Sequence, residues 1–449
     1  MEKDLITGLS EKIQRSSDID SELFVKYKVK RGLRNADDSG VLVGLSNISH
    51  VIGYEKKDGM ILPVEGQLIY RGIPIQELTK GFQADGRHGF EETTYLILTG
   101  KLPDNGCLDE FSSFMAELRD LPMAFIKTNM ISNRGADIMN MLARNILFLY
   151  TFDKKAEDTT QANLVLQALS LIAKLPVIVA YSYHGMMHFQ RRQTLYIRHP
   201  EANLSVAENF LYMLKGENNY TALDAEILDL ALVLHAEHGG GNNSSFTTRV
   251  ISSTLTDTYS AMAAAIGSLK GPLHGGANLR VLEMMENIKE NVKNWNDEGE
   301  VLDYLIRILK KEAHNRTGKL YGIGHAVYTK SDPRTLILKE KARELAIEKG
   351  REAEFELYSM VEKLAPEAFR IFKKESHKVL CANVDFYSGF VYESIGLPKE
   401  VFTPMFAVAR IAGWSAHRLE ELNFAARRII RPAYKYVGEP QAYVAMGRR

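Results

Sequence analysis

Apolar residues recur at intervals of three and four along most of the chain, and this spacing predicts amphipathic helices. One helix is predicted between Thr221 and His235, with the Thr221 side chain capping its first turn. Another is predicted from Thr403 to Glu421, where Thr403 is the expected cap and Pro404 suits the first helical position. The pattern therefore favours a helical protein.

Several other segments carry the same helical spacing. They are residues 90–98, 107–118, 136–150, 206–214, 250–269, 281–288, 300–313, 334–349 and 352–364. The most apolar stretch, residues 162–183, contains Gln167, Lys174 and Pro176, which interrupt it too often for a membrane span. We expect a buried pair of helices there.

Strand patterns are confined to the N-terminal part of the chain. Residues 41–45 and 60–70 alternate between apolar and polar positions and predict a small antiparallel ribbon. The fold class is therefore mainly α, with a minor β element near the N-terminus. The charged, helix-rich stretch 281–378 lies between two glycine-rich motifs and predicts a smaller second lobe.

The composition of the chain limits the kinds of molecule that it is expected to bind. The chain has 449 residues, 45% of them hydrophobic, and its 56 basic residues cancel its 56 acidic ones. No global field favours nucleic acid or an anionic membrane, so any anion must be bound locally. Cys107 and Cys381 are too few for a disulfide framework. The acidic N-terminus lacks the apolar core of a signal peptide, and we expect a cytoplasmic protein.

Two histidines and one aspartate stand in glycine-marked motifs. His274 lies in Gly-Pro-Leu-His-Gly-Gly, His325 in Gly-Ile-Gly-His-Ala-Val-Tyr and Asp385 in Asn-Val-Asp-Phe-Tyr-Ser-Gly. Neighbouring glycines let a substrate approach the backbone, so such side chains are candidates for catalysis. Each alone has an ordinary interpretation, as a buried structural histidine or a turn-capping aspartate. Together they favour an enzyme in which two groups donate or polarise and one accepts a proton.

Arg410 indicates what such a site would hold. It lies among apolar residues on a predicted core helix, with no acid within one helical turn. A buried guanidinium keeps its proton, so it needs either a structural ion pair or a ligand carboxylate or phosphate. Arg334 and Arg431 are less distinctive, and a surface position is the ordinary expectation for each. With the catalytic set, the three arginines predict a polycarboxylate substrate and chemistry beside a carbonyl.

His235 and His238 are three residues apart, a helical spacing that is able to chelate a metal ion. No third ligand has a recognisable spacing, and His-Ala-Glu-His differs from the His-Glu-x-x-His of zinc peptidases. The chain also lacks the glycine patterns of nucleotide-binding loops and the Gly-x-Ser-x-Gly of serine hydrolases. We therefore expect no metal site, and histidines that are satisfied at a helix end.

These motifs, in this order, resemble the citrate synthase family over most of the chain. The segments that carry the resemblance are Arg-Gly-Leu-Arg-Asn (31–35), Tyr-Arg-Gly-Ile-Pro-Ile (70–75), His-Ala-Glu-His-Gly-Gly-Gly-Asn (235–242), the motifs around His274, His325 and Asp385, Asp-Pro-Arg (332–334), and Phe406 with Arg410. Two positions depart from it. Ala326 stands where many bacterial relatives have Arg, and Ala382 stands where Pro is common.

The resemblance implies that the chain condenses acetyl-CoA with oxaloacetate and then hydrolyses the thioester, giving citrate and CoA. Asp385 would remove a methyl proton while His274 hydrogen-bonds the thioester oxygen. His325 would polarise the oxaloacetate carbonyl and donate a proton to it. Acetyl-CoA would be a co-substrate, with no permanently bound cofactor.

The resemblance also assigns binding residues. Those expected to hold the substrate carboxylates are His238, Arg334, Arg410 and Arg431, the last reaching into the neighbouring subunit's site. Phe406 would shield the site, and Lys330 and Lys378 would contact CoA phosphates. The implied architecture is a homodimer with a large domain of residues 1–274 and 383–449. A small domain, residues 275–382, would close over the site and exclude water.

Two alternatives stay open. A 2-methylcitrate synthase uses propionyl-CoA, and one methylene changes binding by only about 1 to 3 kcal/mol, so the motifs do not separate the two activities. A catalytically silent helical scaffold or ligand sensor would share the fold. Such a scaffold is expected to lose one of the three catalytic groups, and here all three are present.

Overall fold

The structure, a computed structural model, describes residues 2–37, 39–57, 60–132, 135–373 and 379–448. Its contacts divide the chain into two compact units, Met1–Leu45 and Ser46–Arg449. The predicted domain boundaries near residues 275 and 382 both fall inside the second unit. That division stays a prediction.

The first unit is built from short helical elements. It contains helix α1 at Glu2–Ser16, helix α2 at Ser21–Lys26 and a 3₁₀ turn at Arg31–Leu33. Asp20 accepts the Glu22 N–H at 2.9 Å and so caps α2. Residues 41–45 have no regular structure, so the strand predicted there is wrong.

The second unit is mainly helical, with one small sheet, and this confirms the predicted fold class. Its strands are β1 Ser49–Lys57, β2 Met60–Tyr70 and β3 Ile73–Pro74. Its helices are α3 Ile75–Ala84, α4 Phe90–Thr99, α5 Asn105–Glu117, α6 Met123–Phe125, α7 Ile138–Leu149, α8 Gln161–Arg191, α9 Val206–Lys215, α10 Ala222–His235, α11 Asn243–Ser252, α12 Thr258–Lys270, α13 Ala277–Asn291, α14 Glu298–Leu309, α15 Pro333–Lys349, α16 Glu352–Lys373, α17 Asp385–Ser394 and α18 Phe402–Leu422. Short turns of π or 3₁₀ helix lie at Ile126–Ser132, Tyr150–Phe152, Lys399–Val401 and Met446–Arg448.

The sheet is antiparallel, with β2 in the centre between β1 and β3. The predicted strand at residues 60–70 is confirmed as β2. Its partner is β1 and not residues 41–45, because β1 supplies the pairing from Ser49 to Lys57. Residues 58 and 59, between the two strands, lie outside the described part of the chain.

The predicted helix at Thr221 is confirmed as α10. Thr221 Oγ1 accepts the Asp224 N–H at 3.1 Å, and the Asp224 carboxylate accepts the Thr221 N–H at 3.0 Å. This reciprocal pair is a capping box, which fixes where the helix begins. Helix α10 is buried along most of its length and ends at His235. The turn from His235 to His238 that follows it therefore lies in the core.

The predicted helix 403–421 is confirmed as α18, but its predicted cap is wrong. Thr403 lies inside the helix, because the 3₁₀ turn Lys399–Val401 leads directly into α18. The Thr403 hydroxyl donates instead to the Gly275 carbonyl at 3.1 Å. Almost every residue of α18 is buried, and this places Arg410 deep in the core.

The single helix predicted for residues 250–269 is also wrong. The chain forms α11 and α12 there, and the break between them contains Leu255 with φ at +65°. Asp257 accepts the Ser260 N–H at 2.8 Å and caps the second helix. Small residues keep the helical spacing across the break, so the apolar pattern alone does not reveal it.

The helix pair predicted for residues 162–183 is one continuous helix, α8, with Pro176 buried inside it. Within the described part of the chain, α8 is the helix that is long and apolar enough to cross a membrane. Of its most apolar window, 78% is buried against other helices. Core helices commonly combine these properties.

Candidate active site

One of the three predicted catalytic residues begins a helix, and the other two lie in segments that connect helices. His274 is in the turn between α12 and α13, His325 is in the loop between α14 and α15, and Asp385 is the first residue of α17. Side chains at helix ends and in loops are free to face a ligand, and rigid helices fix their positions. All three are partly buried, which suits groups that line a cleft.

His325 is held in one tautomer. Its Nδ1 accepts the backbone N–H of Val327 at 3.0 Å and that of Tyr328 at 3.1 Å. A nitrogen that accepts two N–H groups carries no proton, so the neutral ring keeps its proton on Nε2. His325 is therefore set to donate from Nε2 to an acceptor such as a carbonyl oxygen.

Aromatic rings enclose His325 and join it to two predicted binding residues. The Tyr328 ring stacks on His325 with centroids 4.7 Å apart, and the His238 ring meets His325 edge-on at 5.1 Å. The Arg334 guanidinium lies over Tyr328, 5.6 Å from the ring centroid. The structure thus brings His238, His325 and Arg334 into one cluster.

Arg410 is fully buried, and among the residues that the structure describes only one of its nitrogens has a partner. Nε donates to the His235 carbonyl at 2.6 Å, whereas Nη1 and Nη2 have no partner among the described residues. Burial lowers the pKa of Arg410 to about 10, which leaves the guanidinium charged at neutral pH. It lies over the Phe406 ring at 4.7 Å. A buried cation with two unused donors favours the ligand interpretation over a structural ion pair.

Arg334 is buried, so the surface position expected from its sequence alone is wrong. The Asp332 carboxylate accepts Arg334 Nε at 3.0 Å and Nη2 at 2.7 Å. Although burial lowers the pKa of Arg334, this carboxylate raises it above its usual range. Asp332 also accepts the Val384 N–H at 3.2 Å, and the ion pair thereby ties α15 to the residue preceding Asp385.

Asp385 begins α17 beside this ion pair. Burial raises the pKa of its carboxyl to about 6, and the charge of Arg334 opposes that rise. At neutral pH such a carboxyl is mainly ionised, yet it is a stronger base than an exposed aspartate. Asp385 is therefore suited to accept a proton from a weak carbon acid.

His274 is tied to α18 through Ser244. His274 Nε2 lies 3.1 Å from Ser244 Oγ, and this oxygen also accepts Trp414 Nε1 at 3.1 Å. Burial, followed by the charge of Arg410, lowers the pKa of His274 to about 4, so the ring is neutral near pH 7. A Ser244 hydroxyl that donates to Nε2 places the ring proton on Nδ1, from which His274 can donate to a ligand.

The turn that carries His238 is held by Glu237. Its carboxylate accepts His417 Nε2 and the Ser49 hydroxyl, each at 2.9 Å. Burial raises the pKa of Glu237, but His417 and the other partners lower it to about 2. Arg249 Nη2 donates to His417 Nδ1 at 2.8 Å, so the histidine proton is on Nε2 and points at the carboxylate.

Buried polar atoms without a hydrogen-bond partner gather around Arg410 and His238. Among the described residues of this cluster they are His235 Nε2, Glu237 Oε2, His238 Nε2, Tyr328 Oη, Arg410 Nη1 and Arg410 Nη2. Each such atom costs free energy until a ligand or water satisfies it. Their concentration around one guanidinium indicates a binding site for a small polar anion.

Four residues in or beside this cluster have no assigned role in the sequence-based prediction. Asp332 and Tyr328 belong to the motifs that carry the resemblance, so their positions gave a local signal. Ser244 gave none, because its contact with His274 joins residues that are 30 positions apart. Glu237 lies between the two histidines whose turn it holds, and the sequence analysis assigns roles to those histidines but none to the glutamate.

Two of the predicted binding residues, Arg431 and Lys330, are not joined to this cluster. Arg431 is exposed in the segment after α18, where the neighbouring Ile430 donates its N–H to Ser253 Oγ at 3.1 Å. Lys330 is exposed between His325 and α15. Lys378 lies outside the described residues. The roles of these residues stay predictions.

His235 and His238 do not form a metal site with a third residue. In the part of the chain that the structure describes, no group of three or more His, Cys, Asp and Glu side chains is placed to hold a metal ion. His235 Nδ1 lies 2.7 Å from the Ala231 carbonyl, and burial lowers the pKa of the ring to about 3. His235 is therefore a neutral core histidine.

A cavity of about 380 Å³ opens beside His325. Its lining residues are Ile323, Gly324, His325, Ala326, Phe369, Lys373 and Leu380. The cavity therefore combines an apolar wall with a lysine and reaches a catalytic candidate. A ligand bound there would present its end to His325.

Comparisons with known proteins show the family of this chain. The family described as citrate synthase, C-terminal domain, matches residues 35–433. The citrate synthase of Deinococcus radiodurans is 36% identical, over 89% of this chain and 98% of that protein, and a 2-methylcitrate synthase of Shewanella oneidensis is 32% identical, over 85% and 92%. The crystal structure of citrate synthase from Pyrobaculum aerophilum superposes with a TM-score of 0.73 at 32% identity, covering 91% of this chain and 94% of that one. The chain belongs to the citrate synthase family.

Proposed function

We propose that this chain condenses acetyl-CoA with oxaloacetate and hydrolyses the resulting thioester, releasing citrate and CoA. The observation that carries the proposal is the cluster of buried, unpartnered polar atoms around Arg410. The neutral His274 ring, the His325 ring with its unprotonated Nδ1 and the basic Asp385 carboxylate accompany this cluster. Oxaloacetate is a small dianion with one electrophilic carbonyl, and it supplies the acceptors that this cluster lacks.

Oxaloacetate binds through its two carboxylates. Arg410 offers Nη1 and Nη2 as a planar pair of donors, which matches the geometry of a carboxylate. Arg334 and His238 both lie against the Tyr328 ring, and we assign the second carboxylate to them. Phe406, under the Arg410 guanidinium, excludes water from this end of the site.

The first chemical step makes a carbon nucleophile. Asp385 takes a proton from the methyl group of acetyl-CoA; the electrons of the C–H bond form the carbon–carbon double bond of the enolate, and the π electrons of the thioester carbonyl move to its oxygen. His274 donates a hydrogen bond from Nδ1 to that oxygen and so stabilises the enol or enolate. Both residues have the ionisation that this step needs at neutral pH, a carboxylate base and a neutral donor.

The second step forms the carbon–carbon bond. The enolate carbon attacks the oxaloacetate carbonyl, and His325 gives its Nε2 proton to the oxygen that becomes the citrate hydroxyl. The two backbone N–H groups at Nδ1 hold the tautomer for this transfer. Water then attacks the thioester carbonyl, the C–S bond breaks, and CoA leaves as the thiol.

The cavity beside His325 is the proposed place for the end of CoA nearest the thioester. Lys373 lies on its wall. Lys330 and Lys378 remain proposed contacts for the CoA phosphates. In a homodimer, Arg431 of each chain would complete the other chain's oxaloacetate site, and a small domain of residues 275–382 would close over both substrates. We propose a cytoplasmic location for this metabolic activity.

One relative suggests a second activity, which differs from the proposed one in the acyl-CoA that is used. The citrate synthase of Deinococcus radiodurans is 36% identical to this chain and the 2-methylcitrate synthase 32%, so citrate formation is the better supported reaction. The test is thiol release by the purified chain, with kcat/KM measured for acetyl-CoA and propionyl-CoA. We expect release that requires oxaloacetate and favours acetyl-CoA. A strong propionyl-CoA preference would overturn the choice, and release without oxaloacetate would overturn the mechanism.

A further inference from the structure

The β1–β2 hairpin loses its regular pairing at one place. Ile52 pairs with Gln67, but Tyr54 pairs with Pro63, so residues 64–66 of β2 stand opposite the single residue Gly53. A bulge of this kind releases backbone groups from the ladder and makes them available to other partners. Bulges are often found beside active sites, where they aim a neighbouring segment.

The loop that follows His325 takes up the released groups. The Thr329 hydroxyl donates to the Gly53 carbonyl at 2.5 Å, and the Gly66 N–H donates to Ser331 Oγ at 3.1 Å. The Ser331 hydroxyl donates in turn to the Glu65 carboxylate at 2.5 Å. Thr329 and Ser331 are thus fastened to the bulge by side-chain hydrogen bonds across about 270 positions of sequence.

Gly53 and Gly66 make room for this loop. A Cβ at position 53 would lie 2.3 Å from the Val327 carbonyl oxygen, and one at position 66 would lie 2.1 Å from the Ser331 carbonyl oxygen. Neither glycine has a positive φ, so the requirement at these positions is for space and not for an unusual backbone conformation. The hairpin and the loop therefore touch backbone to backbone.

The same hairpin also holds the turn of His238. Ser49 on β1 donates to Glu237 at 2.9 Å and accepts the Gly239 N–H at 3.1 Å. Tyr70, at the end of β2, donates to the Glu237 carbonyl at 2.9 Å. One rigid ribbon thus supports both segments whose histidine rings meet at 5.1 Å.

We propose that the β1–β2 bulge is the seat that positions His325, and that Thr329 and Ser331 are positioning residues for the condensation. The inference rests on the proposed role of His325. The Val327 and Tyr328 N–H groups orient the His325 ring, and the backbone of these residues rests on Gly53. The seat therefore sets the direction of the Nε2 proton. A displacement of about 1 Å at a reacting group lowers the rate about 100-fold. A shift of this seat should therefore lower turnover.

The test uses a hydroxyl deletion that leaves the shape of the side chain nearly unchanged. Thr329→Val removes the donor to Gly53, and Thr329→Ser restores it. Thr151→Val is the matched control, because the Thr151 hydroxyl donates to the Phe148 carbonyl at 2.8 Å on an exposed turn. We expect Thr329→Val to lower kcat about tenfold, with Thr329→Ser within about threefold of the parent and Thr151→Val unchanged.

A second readout distinguishes positioning from general damage. The infrared stretch of the C2 carbonyl of bound oxaloacetate reports the hydrogen bond from His325 directly, without acyl-CoA. Thr329→Val should move this frequency toward that of free oxaloacetate, in the same direction as His325→Asn should. The Kd for oxaloacetate should change less than about threefold, since arginines hold the carboxylates.

The two possible failures are distinct. An unchanged carbonyl frequency in Thr329→Val, alongside a shifted one in His325→Asn, would overturn the seat and leave the proposed function in place. An unchanged frequency in His325→Asn would overturn the role of His325 itself, and the positioning inference with it. A fall in kcat that Thr329→Ser does not restore would also count against the seat.

Discussion

Arg410 and Arg418 lie two turns apart on α18. Both are buried, but their guanidinium groups differ in how many of their nitrogens have a hydrogen-bond partner. Arg418 donates from Nε to Thr258 Oγ1 at 3.1 Å, from Nη1 to Ser252 Oγ at 3.1 Å and from Nη2 to the Thr256 carbonyl at 2.6 Å. Within the described part of the chain, Arg410 bonds only through Nε, to the His235 carbonyl. One guanidinium therefore belongs to the fold, and the other is left for a ligand.

This difference predicts opposite effects for one substitution at the two positions. Arg410→Met should weaken oxaloacetate binding at least about 100-fold, because a charge-assisted pair of hydrogen bonds is lost. It should not lower the free energy of unfolding, since a buried cation is replaced by an apolar chain. Calorimetry and urea unfolding of the ligand-free protein measure the two quantities.

Arg418→Met is the matched control. It should lower the free energy of unfolding by about 2 to 4 kcal/mol, because two buried acceptors and one partly buried acceptor lose their donor, and leave the Kd for oxaloacetate unchanged. If both variants destabilise the protein equally, Arg410 is a structural residue and the ligand interpretation fails.

Asp385→Asn should fold and bind oxaloacetate normally but lose most of its turnover. The substitution removes the base while keeping the size of the side chain, so only proton abstraction is affected. We expect kcat to fall by at least about 100-fold. A kcat equal to that of the parent would show that another group removes the proton.

The pKa of Asp385 also predicts the acid limb of the pH profile. Burial raises this pKa to about 6, and the base must be ionised to act, so kcat/KM for acetyl-CoA should fall as the pH is lowered through about 6. His274 adds no limb above pH 5, because burial lowers its pKa to about 4 and the ring is already neutral. An acid limb near pH 4 would mean that the Asp385 carboxyl is not desolvated during catalysis.

Ser244→Ala tests the contact that orients His274. Losing one hydrogen bond of about 1.4 kcal/mol should lower kcat about tenfold, with the Kd for oxaloacetate unchanged. Ser268→Ala provides the control, since the Ser268 hydroxyl is exposed and donates to Asn243 at 2.6 Å. Similar losses in both variants would place the effect outside His274.

Arg431→Ala tests the proposed exchange of residues between subunits. Its loss should weaken oxaloacetate binding more than CoA binding, because a guanidinium that reaches the carboxylates does not serve CoA. Arg428→Ala, at an exposed arginine of the same segment, is the control. Equal weakening of both ligands in calorimetry would argue against the carboxylate role.

The sequence predicted those helices and strands that are set by interactions between residues close together in the chain. The Thr221 capping box and the alternation along β2 are each complete within a few residues, and both are confirmed. The break near Leu255 was missed because the spacing of small residues continues through it. The Thr403 cap was wrong because a preceding 3₁₀ turn had already begun the helix.

The candidate site likewise contains residues that the sequence marked and supporting residues that it did not. Glycine-framed motifs marked His274, His325 and Asp385, and an isolated arginine in an apolar run marked Arg410. The supports of these residues lie far away in the chain. Gly53 and Gly66 are necessary only because a loop beyond residue 325 rests on them, so no spacing within the hairpin reveals their purpose.

A crystal structure of the oxaloacetate complex tests the central claim most directly. We predict one carboxylate on Arg410 Nη1 and Nη2, with the C2 carbonyl oxygen within hydrogen-bond distance of His325 Nε2. His274 and Asp385 should border the space above that carbonyl carbon. Oxaloacetate bound elsewhere, with both terminal nitrogens of Arg410 still unpaired, would contradict the account.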